Sequence, residues 1–140
     1  MAEPTAKDSI LLLITKHPNH PLAIQAIDYA RTYLQMQSQA NRPLPKLDIF
    51  FYAESAQIAN CLRWQPADQV NLTSQWQALH HTFAIELPVC VSTALARGVC
   101  DTDNASRHQL QGENLADGFQ LVGLGDLADK MHHAQKVIQF

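Results

Sequence analysis

Glycine is scarce in this 140-residue chain, five residues in all, and none stands in the turn Thr15–Pro21 behind the first apolar run. A phosphate cradle there needs glycines for close backbone approach, so no nucleotide-binding loop is expected. Cysteine is scarce too. Cys61, Cys90 and Cys100 are an odd number with no CxxC spacing, which makes neither a disulfide framework nor a zinc motif and fits a reducing, cytoplasmic setting. Long apolar runs are missing: Ile10–Ile14 is far too short to span a bilayer, and no basic start leads into an apolar core, so neither membrane nor secretion is indicated. An excess of positive charge is missing as well. The formal net charge of -3 argues against a surface built for phosphate contacts, and no tight, direct nucleic-acid binding is expected. There is no HExxH and no GxSxG, and the pairs His80-His81 and His132-His133 point about 100° apart on a helix rather than forming an i, i+4 clamp. Hydrolase and metal readings therefore have no support, and no metal or cofactor is expected.

What is present suits one well-formed core: 46% hydrophobic residues, 16% charged. Residues 1–8 read as a loose leader and 9–140 as a single domain. Ile10–Ile14 is a continuous apolar run, the pattern of a strand covered on both faces. Pro21 opens an amphipathic helix that carries Leu22, Ile27, Ala30 and Leu34 on one face and ends near Gln39. Lys46–Ala53 is a second strand, which makes a partly parallel α/β sheet. Glu54–Arg63 reads as a short helical segment, and Ser74–Ala84 as a helix capped by Ser74 with Trp76, Leu79 and Phe83 on its buried face. Asp101–Asn114 is polar and irregular with room for one short helix. Strand Phe119–Gly123, helix Gly125–His133 and strand Lys136–Phe140 close the series, about five strands in all.

The stretch that holds chemistry is Glu86–Asp101. Leu87, Val89 and Val91 alternate around Cys90 like the end of a buried strand, and Ser92–Arg97 is helix-forming and closed by Gly98. Cys90 then sits at a strand's carboxyl end, where reactive groups gather in open α/β sheets and a following helix favours thiolate over thiol. The same pattern also fits a buried structural cysteine, since free Cys is among the most buried residue types. On the reactive reading, Cys90 alkylates faster than Cys61, which reads as a thiol packed beneath an aromatic residue. Cys100, ten residues on, is either a resolving partner or a bystander, and Asp101 tends to raise its pKa. Arg97 lies about two helical turns from Cys90, roughly 10 Å, too far for a direct ion pair, and receives no catalytic role.

Cys90-Val-Ser-Thr-Ala-Leu-Ala-Arg-Gly-Val99 resembles the cysteine segment of the DsrE-like sulfur-transfer family, closest to its TusD/DsrE branch, where the usual form is CVAAALRRGV. The tail from Gly118, GFQLVGLGDLADKMHHAQKVIQF, is similar to that branch's GFxLSGLGxLAE...DRVVQF, and Phe50-Phe-Tyr52 and the Trp76 helix match in kind and order. The resemblance implies a three-layer α/β/α domain with a mostly parallel sheet. It implies a sulfurtransferase that carries a persulfide sulfur on one cysteine, Cys90, without a cofactor. It further implies a hetero-oligomer with two smaller related subunits, an upstream persulfide donor and a downstream sulfur-acceptor protein. The relay would serve thiolation of the wobble uridine in tRNA or intracellular sulfur oxidation. The competing reading is a non-catalytic structural or small-ligand-binding subunit with Cys90 buried. Two turns depart from the family form and bear on the shape of the pocket: the first is Lys16-His-Pro-Asn-His-Pro21 rather than glycine-rich, and YxxGVxxAN becomes Tyr52-Ala-Glu-Ser-Ala-Gln-Ile-Ala-Asn60.

Overall fold

The computed structural model describes residues 7–140. In chain order it contains β1 (Ser9–Ile14), α1 (Pro21–Gln39), β2 (Lys46–Phe51), a 3₁₀ segment (Ala53–Ala59), α2 (Leu72–Phe83), β3 (Leu87–Cys90), α3 (Val91–Ala96), α4 (Thr102–Arg107), β4 (Phe119–Val122), α5 (Leu124–His133) and β5 (Ala134–Gln139). The strands form one sheet in the order β4-β3-β2-β1-β5, every neighbouring pair parallel. Parallel neighbours cannot be joined by hairpins, so helical crossovers alternate with the strands, as the α/β pattern requires. Of the expected leader, residues 1–6 lie outside the described part, and Asp8 is tied to the sheet by its carbonyl, which accepts from Lys46 N at 2.9 Å.

Strand alternation divides the core unequally between the two faces. Leu12, Ile14, Leu47, Ile49, Phe51, Leu87 and Val89 point into the main core beneath α1, α2 and the 3₁₀ segment. Trp76 of α2 is fully buried there and meets Phe51 edge-on, ring centroids 5.2 Å apart. On the opposite face, among the described residues, Leu11, Phe50, Cys90 and Ala134 form the buried cluster, with Leu13, Tyr52, Val122 and Leu127 partly buried against it. Leu127 comes from α5, a helix with no fully buried residue. The three layers are present, and the third is thin.

Several boundaries differ from expectation for local reasons. β2 stops at Phe51, short of Ala53, because Ala53 turns the chain in the left-handed region (φ 57°) and Ser55 Oγ lies 2.6 Å from Ile14 O, pinning a 3₁₀ segment across the ends of β1 and β2. α2 is capped by Asn71, whose side chain accepts from Ser74 N at 3.1 Å, so Ser74 sits inside the first turn rather than at its cap. β5 begins at Ala134, directly behind α5, where a register shift lets the buried Ala134 pair with Ser9. α1 starts at Pro21 as expected, with His20 Nδ1 accepting from Leu22 N at 3.1 Å. No helix among the described residues is long and apolar enough to cross a membrane.

Candidate functional site

Because the sheet is parallel, β1, β2 and β3 end on one edge: Ile14 pairs with Phe51, and Phe51 with Val89. The segments that leave these strands therefore meet there, and Cys90 is among them as the last residue of β3 and the N-cap of α3. Val89 takes the main-core side, so Cys90 turns to the thin face, among Leu11, Phe50 and Ala134. Its exposure is 0%. Cys90 Sγ lies 3.4 Å from Ser92 Oγ, and Thr93 Oγ1 donates to Cys90 O at 3.2 Å. Burial opposes charge on the sulfur, but the Ser92 hydroxyl, the Thr93 backbone and hydroxyl and the Ser92 backbone act against it, and together they hold the thiol below its ordinary pKa. An inert core thiol with no polar neighbours would be shifted the other way.

The local sequence pattern contains no sign of Arg97's main partner. Arg97 is the C-cap of α3 and donates Nε at 2.9 Å and Nη2 at 2.5 Å to Glu54 Oε1, and Nη1 at 3.1 Å to Thr93 O. Glu54 belongs to the 3₁₀ segment behind β2. The Arg97 hydrogen bond holds the Glu54 carboxyl below its usual range, and the charges of Arg97 and His17 add to the effect. Arg97 thus touches the cysteine's helix through Thr93 rather than the cysteine itself, as its distance along the chain requires.

The other thiols are placed differently from one another. Cys61 is exposed, not packed beneath an aromatic residue, because Asn60–Asn71 runs over the surface with Leu62 and Trp64 also outside. Exposure in the isolated chain thus favours Cys61, against the faster alkylation of Cys90 expected from its place ahead of a helix. Cys100 is 5% exposed, and burial, followed by Asp101 and Glu113, pushes its thiol up. It borders a cavity of about 450 Å³ with Leu62, Leu95, Gly98 and Leu110, away from the face that holds Cys90. His80 turns its Nδ1 to Ile85 O at 2.6 Å, while His132 and His133 pack edge to face.

The sequence pattern of the DsrE/DsrF-like family matches residues 8–140. A sulfurtransferase TusD homolog of Aliivibrio fischeri is 46% identical over 92 residues, covering 66% of this chain and 71% of the relative. The sulfurtransferase TusD of Photorhabdus laumondii is 35% identical over 118 residues, covering 84% and 86%. The crystal structure of the ychN protein from E. coli superposes with a TM-score of 0.69 at 18% identity, covering 95% of this chain and 99% of that one, which is a likeness of fold. The parallel sheet, the cysteine closing its third strand and a family match that runs from β1 to the last residue agree: the chain belongs to the DsrE/DsrF-like family.

Proposed function

We propose that this chain is a sulfurtransferase of the TusD kind, a sulfur-relay subunit that accepts a persulfide sulfur on Cys90 and passes it on. The observation that carries the reading is the Cys90 thiol itself, at the end of β3, biased toward thiolate by Ser92 and Thr93. The thiolate attacks the outer sulfur of a donor persulfide. The donor's S–S bond breaks, the donor leaves as a thiolate, and Cys90 becomes the persulfide. An acceptor thiolate then takes the outer sulfur, and Cys90 leaves as a thiolate. Electrons balance at each exchange, so no outside oxidant or cofactor takes part. The relay runs toward thiolation of the wobble uridine of tRNA, the reading that the TusD relatives support over sulfur oxidation. It operates in a reducing cytoplasm with two smaller related subunits, an upstream donor and a downstream acceptor protein.

The complete burial of Cys90 is the one observation that favours the structural alternative. Against it stand the lowered pKa and the thin cover on that face, which a small local movement would open. Incubation with a persulfide donor, followed by peptide mass mapping, separates the two. The Cys90 peptide should gain one sulfur that a reductant removes, and Cys90→Ser, nearly isosteric, should stay folded and gain none. Equal loading of Cys90→Ser would end the proposal.

A further inference from the structure

α3 is six residues long, and Ala94 is its one buried residue. A helix so short is not stable by itself, and a single buried alanine fixes its position weakly. What fastens it is polar and comes from a distant part of the chain. The Arg97 guanidinium joins Glu54 Oε1, through Nε and Nη2, to Thr93 O, through Nη1, while Gln57 Nε2 donates to Arg97 O at 3.3 Å. Thr93 in turn holds Cys90 O, and Ser92 beside it approaches the sulfur. An unbroken set of contacts therefore runs from the 3₁₀ segment behind β2 to the backbone of Cys90.

We infer that Arg97 is a positioning residue for Cys90, bridging Glu54 to Thr93 so that the first turn of α3 keeps Ser92 and Thr93 against the sulfur. The inference rests on Cys90 as the reactive thiol of the proposed function. The Arg97 charge does not act on the sulfur directly: the guanidinium is engaged by Glu54 and Thr93, and the groups that act on the Cys90 thiol are those of Ser92 and Thr93. The other charged or titratable groups on the neighbouring segments are Lys16, His17 and His20 in the first turn, Tyr52 behind β2, Glu86 ahead of β3, Asp126, Asp129, Lys130, His132 and His133 on α5, and Lys136 on β5, and the lowered Cys90 pKa is traced to none of them. Arg97 and Glu54 keep 26% and 52% of their side-chain surface exposed, so the pair is a minor prop of the fold as a whole. Its loss acts on α3. If the turn loosens, the polar partners of the sulfur drift while burial remains; if it swings out, the partners go altogether. The thiolate fraction falls in both cases, whatever happens to access.

The test measures alkylation of Cys90 by peptide mapping from about pH 6 to about pH 10 in the parent, Arg97→Gln, Arg97→Lys and Glu54→Gln. The ratio of the rate at neutral pH to the alkaline limit cancels differences in access. It should fall about threefold or more in Arg97→Gln and Glu54→Gln, and Arg97→Lys, which keeps a charge for Glu54, should recover part of the loss. An unchanged ratio in a folded Arg97→Gln protein overturns the inference. Unfolding of both neutral variants overturns it equally, because the pair would then support the whole fold. Sulfur loading does not enter this readout, so the clamp and the carrier role of Cys90 fail separately: loading by Cys90→Ser would refute the carrier while leaving the alkylation ratios to judge the clamp.

Discussion

Cys90 Sγ lies 3.4 Å from Ser92 Oγ while the cysteine is wholly shielded from solvent. A hydroxyl at the rim of an otherwise apolar cluster has a measurable consequence. Ser92→Ala should lower the thiolate fraction of Cys90 at pH 7 about fivefold, the effect of losing a contact that contributes about 1 kcal/mol. Alkylation rate against pH reads it directly. Because Ser92 is exposed, the fold should be unaffected, and an unchanged profile would show that the hydroxyl donates elsewhere.

Access, unlike ionisation, favours a different thiol. In the isolated chain brief alkylation at neutral pH should label the exposed Cys61 first and Cys90 slowly, at a rate set by local opening. Addition of a persulfide donor or the partner subunits should raise the Cys90 rate and leave that of Cys61 alone. Immediate labelling of Cys90 in the isolated chain would mean that the thin face is open in solution.

The course of the fold was legible because its signals are local. The alternation of Leu87 and Val89 and the helix formers behind Cys90 locate the strand end, and Pro21 marks the start of α1. Errors arose where a distant side chain decides a local boundary. The 3₁₀ segment depends on Ser55 reaching Ile14 O, 41 positions away, and the start of α2 on Thr73 reaching Ile58 O as well as on the Asn71 cap. At the site, the residue types of Ser92 and Thr93 were visible but their role was not. Glu54 and Arg97, 43 positions apart, meet only because β2 and β3 end side by side. The local pattern around Cys90 fitted a reactive and a buried thiol alike, because the cover that decides between them comes from Leu127 on α5 and from neighbouring strands.

Cys100 should prove dispensable for sulfur loading and should carry a pH signature of its own. Burial and two carboxylates raise its folded-state pKa above the unfolded value of about 8.5. A raised pKa contributes stability that is fully present below the unfolded value and lost as pH rises through the folded one. Cys100→Val, similar in size, removes that dependence. The variant should therefore lose less thermal stability than the parent between neutral pH and about pH 10, while loading sulfur as well as the parent does. Loss of loading in the folded variant would give Cys100 a part in the relay.

The thin face supplies the last test. Leu127 packs against the cluster that contains Cys90, yet α5 has no fully buried residue to hold it down. The Lys130 side chain, largely buried, has its ammonium 2.9 Å from Asp126 on the same helix and 4.0 Å from Glu86 just ahead of β3, a polar contact that adds to the hold of Leu127. Truncation in Leu127→Ala removes cover without touching Ser92, Thr93, Arg97 or Glu54. Because the leucine is only partly buried, the cost should be about 1–2 kcal/mol, below the range for a fully enclosed leucine. The limiting alkaline rate of Cys90 alkylation should rise severalfold, while the midpoint of its pH profile stays nearly in place. Arg97→Gln should do the reverse, moving the midpoint whatever it does to the limit. If Leu127→Ala leaves the limiting rate unchanged, α5 does not gate the thiol, and access must come from the α3 side, where Ser92 is already exposed.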